Sequence, residues 1–238
     1  MQPVPDLSAP LADAEHARLE LPGGVYHLRL RSLDTPATDR DPYRDPPDLF
    51  RARFDGPVPQ VAVHDGTVRI HYPRFRFFRS TVRSGEIALA PSLPWTIAVS
   101  GGSKDLHGDL RKLVIEGITI SGGVSVVRLL LPRPRGRCTI VITGGVNRVE
   151  LLRPAVVPVR LLATGGIRDL RVDDLALNAL GGRFAYHTPG HAENADAYDV
   201  SISGGVTGLT ILGDALVYAA PAGPVSGTSA RNLPAHMG

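Results

Sequence analysis

The sequence predicts an all-β fold, a single-stranded β-solenoid with coils of about 21 residues. One observation behind this is a glycine doublet that recurs at intervals of 21, 22 and 21 residues and once more after an insertion. The doublets are Gly101-Gly102, Gly122-Gly123, Gly144-Gly145, Gly165-Gly166 and Gly204-Gly205. The other is the alternation of apolar and polar residues around each doublet, which is typical of a strand with one buried face. No copy has the spacing of an amphipathic helix, so we expect two or three short strands per coil.

Five positions around each doublet are apolar in nearly every copy, and we expect them to face the core. Counted from the first glycine, they are minus four (Ile97, Ile118, Ile140, Leu161, Val200), minus two (Val99, Ile120, Ile142, Ala163, Ile202), plus two (Val124, Val146, Ile167, Val206), plus five (Leu106, Val127, Val149, Leu170, Leu209) and plus seven (Leu129, Leu151, Val172, Ile211). Coils that stack in chain order would make Ile120, Ile142 and Ala163 neighbours. Nine or ten coils, wound as a right-handed parallel β-helix, would form a rod of about 45 Å.

The residues at the coil corners have a physical explanation. Glycine serves a corner where the backbone needs positive φ, or where stacked coils approach too closely for a side chain. A hydroxyl residue precedes each doublet and would form a ladder along one edge, where it can bond to corner backbone groups. These residues are Ser100, Ser121, Thr143, Thr164 and Ser203.

The repeat also sets the domain boundaries. Leu19 to Leu30 fits the apolar frame, and degenerate copies are expected at 61–70, with Asp65-Gly66 as the corner, and at 85–89. We therefore predict an N-terminal arm (1–16), one solenoid domain (17–218) with insertions near 32–48 and 181–198, and a disordered tail (219–238).

Composition restricts the compartment and the kind of pocket. The 238 residues carry a formal charge of +3, and only 5% are aromatic, which disfavours a large aromatic-lined pocket. The absence of a long apolar run and of a secretory signal predicts a cytoplasmic protein with no transmembrane segment. Cys138 is the single cysteine, so it makes no internal disulfide, and we expect a buried, inert thiol on the same strand face as Ile140.

One arginine-rich run is the candidate binding site. Arginine alternates with aromatic residues between 74 and 83, a pattern that suits phosphate contacts combined with ring stacking on nucleic acid or contact with an anionic lipid surface. The alternative is a strand whose arginines lie on the wet face and discourage unwanted pairing. The candidate residues for an anionic partner are Arg74, Arg76, Arg79 and Arg83.

Three other groups of polar residues are candidates for chemistry. Asp105, His107 and Asp109 alternate along a strand-like segment and could transfer protons, with Glu116 or Glu150 from stacked coils nearby, although ordinary surface polarity is the simpler interpretation. His187 and His191 are separated by Pro189-Gly190, which forbids the helix that would pair them on a metal. The acidic stretch at 32–48 matches no calcium loop. We predict no catalytic residue, no metal site and no cofactor, since no familiar catalytic motif occurs.

The packing frames also carry a family resemblance. Ser121-Gly122-Gly123-Val124 and the segment 198–206 resemble actinobacterial β-solenoid proteins of unassigned function. Those in turn are similar to the "putative adhesin" domains of toast-rack type and, more distantly, to bactofilins. The resemblance implies a β-solenoid over about 17–212 and, at the distance of the bactofilins, end-to-end polymerisation. It transfers no functional residue.

We therefore expect a non-enzymatic scaffold or protein-binding module, with self-assembly through the open ends of the stack. A carbohydrate-active β-helix lyase or hydrolase, with acids supplied by neighbouring coils, is the alternative. Arginine-mediated binding to an anionic surface is a third hypothesis.

Overall fold

The fold is all-β. The computed structural model describes residues 7–12, 14–23, 26–33, 47–56, 59–72, 84–192 and 195–215, and these residues form nineteen strands and no helix. The strands are β1 (Leu7–Pro10), β2 (Ala17–Pro22), β3 (His27–Ser32), β4 (Asp48–Asp55), β5 (Gln60–His64), β6 (Thr67–His71), β7 (Ser84–Leu89), β8 (Pro94–Ser100), β9 (Ser103–Asp109), β10 (Val114–Ser121), β11 (Val124–Leu130), β12 (Arg137–Thr143), β13 (Val146–Pro154), β14 (Val159–Thr164), β15 (Ile167–Val172), β16 (Leu175–Leu180), β17 (Arg183–His187), β18 (Ala197–Ser203) and β19 (Val206–Asp214).

The strands form two mixed sheets that enclose one core. The ten-stranded sheet has the order β1-β4-β7-β3-β9-β11-β13-β19-β15-β16, and the nine-stranded sheet has the order β17-β14-β18-β12-β10-β8-β2-β6-β5. A coil is defined here as one strand of the nine-stranded sheet and the following strand of the ten-stranded sheet. At about 4.8 Å per strand the stack is about 40 Å long.

The coils do not all stack in chain order. The coils β8–β9, β10–β11 and β12–β13 are consecutive neighbours. The coil β2–β3 lies between β6–β7 and β8–β9, and the coil β18–β19 lies between β12–β13 and β14–β15. Ile142 therefore pairs with Ile202, which in turn pairs with Ala163. The expected adjacency of Ile142 and Ala163 is wrong, and a single, consecutively wound solenoid is not confirmed.

Both ends of the stack carry strands that run in the opposite direction. Strand β5 pairs antiparallel with β6 through a turn at Asp65-Gly66, and β16 pairs antiparallel with β15 through a turn at Asp173-Asp174. Strands β4 and β17 are likewise antiparallel to β7 and β14. The region 61–70 is consequently a hairpin within one sheet rather than a coil with a corner, because Asp65 and Gly66 both have the positive φ of a tight turn.

The core matches the predicted apolar columns. Every residue of the five columns is buried, at most 3% exposed, and so are Leu19, Leu21, Leu28 and Leu30 of the first copy. The hydroxyl ladder is confirmed by strand register, which aligns Thr164, Ser203, Thr143, Ser121 and Ser100 on adjacent strands. Cys138 is buried as predicted, and burial, aided by the charges of Asp199 and Glu116, raises the pKa of its thiol to about 12.

The two glycines of a doublet have different roles. The first glycine has positive φ and touches the backbone of the next coil: a Cβ on Gly204 would lie 2.2 Å from the carbonyl oxygen of Gly144. The second glycine has open space around it, as at Gly205. The predicted steric requirement is confirmed for the first position only.

A buried arginine fixes the inserted coil at the C-terminal end. Arg153 is 2% exposed and donates to the carbonyl oxygens of Pro154, Ala155 and Val157 and to the Asp173 carboxylate. The other carboxylate oxygen of Asp173 accepts the backbone N–H of Gly213 at 2.8 Å. Arg153 on β13 and Asp173 after β15 thus bridge the strand between them, β19. We call this arrangement the latch.

Candidate functional site

The outer face of the ten-stranded sheet carries a row of cationic side chains. Arg29, His107 and Arg128 are aligned in register on the adjacent strands β3, β9 and β11. Alternation places them outward, since the residues on either side of each point into the core. Neighbouring strands lie about 4.8 Å apart, so the row spans about 10 Å of a rigid sheet.

A second outward row lies beside the first. It aligns Arg31, Asp109, Leu130 and Leu152 on β3, β9, β11 and β13. Its charged half therefore adjoins an aliphatic half, and Leu152 is shielded enough to be only 7% exposed.

The two rows form a groove of about 760 Å³, which we call the arginine groove. Its lining residues are Arg29, Leu30, Arg31, Glu86, His107, Gly108, Asp109, Arg111, Arg128, Leu130 and Leu152. Four guanidinium groups face two carboxylates, so the groove carries net positive charge. Among the described residues that line the groove, His107 carries the only aromatic ring.

Most of the charges in the groove are paired. Arg31 Nε donates to Glu86 Oε1 at 2.6 Å, and Arg111 Nη2 donates to Asp109 Oδ2 at 2.7 Å. The hydrogen bond from Arg111 holds the pKa of the Asp109 carboxyl below its usual range, against the opposing effect of burial. Arg128 lies 3.3 Å from Glu150 on the next strand.

Arg29 and His107 differ from their neighbours. Within the described part of the chain, neither side chain has a hydrogen bond or ion pair. Arg29 is in register with Glu86, yet that carboxylate is taken by Arg31. An unpaired guanidinium beside an imidazole is therefore available to an incoming anion.

The predicted proton-transfer group does not assemble. Asp105, His107 and Asp109 share the outer face of β9, but Asp105 pairs with His27 at 2.7 Å and Asp109 pairs with Arg111. Glu116 lies in the other sheet, where it pairs with His16, because β10 belongs to the nine-stranded half of its coil. The expectation that Glu116 approaches this group is wrong.

The insertion near 181–198 is fixed to the nine-stranded sheet through His191. The His191 side chain is 7% exposed, and its Nε2 lies 2.7 Å from Arg137 Nη1 and 3.0 Å from Asp199 Oδ1. Burial and then the Arg137 charge lower the pKa of His191, against the attraction of Asp199. The neutral His191 imidazole thus accepts a hydrogen bond from Arg137, and this contact has a structural role. Among the described residues, no group of three or more His, Cys, Asp or Glu side chains is arranged around a metal position.

Several predicted positions lie outside the described residues. These are the candidate anion-binding residues Arg74, Arg76, Arg79 and Arg83, most of the acidic stretch (34–46) and the predicted tail (219–238). The arginine groove is not evident from local sequence motifs. The signal that could have found it is the column between plus five and plus seven, which holds His107, Arg128, Glu150, Arg171 and Thr210 and continues at Arg29.

Comparisons with known proteins identify the fold. No protein-family model matches the chain, and no curated protein matches it. A crystal structure of a "putative cell adhesion protein" from Clostridium sporogenes superposes with a TM-score of 0.68 at 19% identity, covering 89% of this chain and 100% of that one. A "putative adhesin" from Bacteroides fragilis gives a TM-score of 0.27 at 9% identity, covering 89% and 98%. At 19% identity, the first likeness concerns the fold.

Proposed function

We propose that the protein is a non-enzymatic binding module whose arginine groove binds an anionic partner. The observation that carries this proposal is the unpaired Arg29 guanidinium, which lies beside His107 in a groove that holds three further arginines on a rigid sheet. Ordered cations on rigid strands bind an anion with little loss of conformational freedom. The adhesion-related description of the Clostridium structure supports binding rather than catalysis.

The groove suits binding better than glycoside cleavage. Acid-catalysed cleavage of a glycosidic bond needs a carboxyl group whose pKa is raised. The pKa of Asp109 is instead lowered, by its bond to Arg111. Glu86 is engaged by Arg31. The two carboxylates thus organise the arginines, a structural role.

A salt gradient on immobilised heparin, a generic polyanion, tests the proposal. We expect the full-length protein to be retained and R29E/R128E to elute at lower salt, because the substitutions reverse two charges of the groove. R168E/R171E is the matched control, since it also reverses two charges and both arginines are exposed on β15, outside the groove. Equal elution of wild type and R29E/R128E contradicts the proposal. Neutralising Arg74, Arg76, Arg79 and Arg83 together measures the separate contribution of the arginine-rich run.

Self-association is a second candidate function, favoured by strand β16. This edge strand of the ten-stranded sheet, Leu-Ala-Leu-Asn-Ala-Leu, has no charge and no proline. The other described sheet edges carry such protection: Pro10 in β1, His64 in β5 and Arg183 in β17. Pairing between copies through β16 predicts concentration-dependent dimers in analytical ultracentrifugation that Asn178→Lys abolishes. A wild type that stays monomeric at high concentration excludes this candidate.

A further inference from the structure

We propose that the ligand of the arginine groove is an extended peptide segment of a protein partner in which acidic and aliphatic residues alternate. This inference rests on the proposed function, because it assumes that the groove binds an anionic partner, and it adds the chemical class of that partner.

The acidic part of the segment follows from the cation row. Arg29 and Arg128 lie two strands apart, about 10 Å, with His107 between them. Carboxylates two residues apart in an extended peptide are separated by about 7 Å. Long arginine stems span the remaining distance, and the planar guanidinium group pairs with a carboxylate through two parallel hydrogen bonds.

The aliphatic part follows from the second row. Leu130 and Leu152 are paired on adjacent strands beside Arg128, and Leu212 continues this outward row beyond the groove. The half-buried Leu130 offers an apolar surface to aliphatic side chains, and Leu152, 7% exposed, lies in register beside it. An alternating peptide presents its acidic and aliphatic residues on opposite sides, so it can cover both rows at once.

The remaining lining disfavours a uniform polyanion. Glu86 and Asp109 lie within the groove and oppose a continuous strand of sulfates or phosphates more strongly than a peptide whose carboxylates are spaced apart, so heparin should bind, but more weakly than the peptide. A peptide instead offers backbone N–H groups that these carboxylates can accept. Single-stranded nucleic acids rely on aromatic platforms for stacking, and the described residues of the lining offer only the His107 imidazole.

The test measures binding of synthetic octapeptides to the full-length protein by fluorescence anisotropy at physiological salt. The probe alternates aspartate and leucine. One control peptide alternates aspartate and serine, the other asparagine and leucine, and a heparin hexasaccharide represents the polyanion. We expect each control peptide to bind about tenfold more weakly than the probe, since each lacks one of the two contacts.

Two pairs of variants locate the site. Arg29→Gln should lower the affinity for the aspartate-leucine probe about tenfold. Arg171→Gln, in the same row but outside the groove, should leave this affinity unchanged. Leu130→Ser should lower the affinity for the probe about fivefold, and Leu212→Ser should leave it unchanged. Hydrogen exchange of the wild type with bound probe gives a second measurement that needs no substitution: protection should fall on β3, β9 and β11.

The outcomes separate the two proposals. The peptide inference is supported if Arg29→Gln and Leu130→Ser both lower the affinity for the probe and the bound probe protects β3, β9 and β11 from exchange. In another outcome, heparin binds through Arg29, while the aspartate-leucine and aspartate-serine peptides bind with equal affinity. This result overturns the peptide inference but leaves the proposed function intact. Protection confined to the nine-stranded sheet also overturns the inference. Absence of binding by every probe overturns both.

Discussion

The middle of the stack and its two ends are built from the same repeat but differ in connectivity. From β8 to β13 each coil lies on the one that precedes it in the chain. Near each end, the coil that comes first or last in the chain, β2–β3 or β18–β19, is instead inserted between two other coils. Antiparallel strands lie beyond them, β4 and β5 at one end and β16 and β17 at the other. Repeats that match in apolar pattern therefore specify how deeply each side chain is buried but leave open which coil lies beside which.

The ends contain contacts that the middle lacks. At the C-terminal end the latch between Arg153 and Asp173 bridges the inserted strand β19. At the N-terminal end the turn residue Gly66 lies against the inserted coil, where a Cβ would be 2.5 Å from the carbonyl oxygen of His16, and its own carbonyl accepts Arg18 N–H. Each inserted coil is thus secured by the hairpin turn at its end.

The largest expected effect is on the middle. Val149→Asp buries a carboxyl group between Val127 and Leu209, at a site with no exposed area, and should cost about 3–5 kcal/mol, a large part of the about 5–15 kcal/mol that stabilises a domain. Leu177→Asp on the half-buried end strand β16 should disorder that end alone. Circular dichroism and hydrogen exchange distinguish the two. Val63→Asp, on a side chain already 43% exposed, is the control, and a melt unchanged by Val149→Asp would contradict the buried columns.

Glycine substitution compares the two positions of one doublet. Gly204→Ala adds a Cβ at φ +125, where it meets the Gly144 carbonyl, and should destabilise the fold by about 4 kcal/mol through strain and overpacking. Gly205→Ala has free space and should cost less than about 1 kcal/mol. Urea denaturation measures both. Equal costs would show that the coils approach less closely at this corner.

The latch should contribute less to the free energy of unfolding than the close contact at Gly204. Asp173→Asn removes the charge that compensates the buried Arg153, and we expect a loss of about 2 kcal/mol, less than for a fully buried pair because Asp173 is partly exposed. If the latch secures the inserted coil, hydrogen exchange should rise first in β19 and β15. Exchange that rises uniformly over both sheets would argue against a local role.

The smallest effect concerns pH. The pKa of His191 is lowered in the fold, so below the ordinary value of 6.5 the unfolded chain binds the proton more readily than the folded chain. This contribution to stability is present above pH 6.5 and is lost as the pH falls toward the lower folded-state pKa. His191→Gln should cost about 1 kcal/mol at pH 7.5 and should reduce the loss between pH 7 and 5.5. Parallel pH slopes for wild type and variant would exclude the mechanism.

The sequence predicts the burial of a residue correctly where that residue is buried whatever the order of the coils. Ile140 and Ile202 must be apolar in any stack, so alternation alone placed them in the core. Coil order could not be obtained in this way, because Leu161 and Val200 are equally good neighbours for Ile140. The reversed ends depend on turn chemistry, and Asp65-Gly66 suits both a corner between sheets and the tight turn of a hairpin.

The groove was missed for a related reason. His107 and Arg128 were visible as outward residues, but a groove needs neighbours from β3 and β7, whose strands are distant in the chain. The contact of Arg29 with this surface follows from the insertion of β2–β3 beside β8–β9. Local clusters such as the arginines interleaved with aromatic residues at 74–83 are visible in a sequence, whereas surfaces assembled across strands are not.

The inserted C-terminal coil has a consequence for biosynthesis. Residue 172 leaves the ribosome 42 residues before residue 214, a delay of roughly 2–8 s at usual elongation rates. Throughout that interval β12–β13 and β14–β15 present matching surfaces whose proper occupant has not yet been made. Premature closure of Ile142 on Ala163 would exclude the late coil, so the nascent chain must either hold this gap open or reopen it, and a chaperone that shields strand edges would favour the correct order.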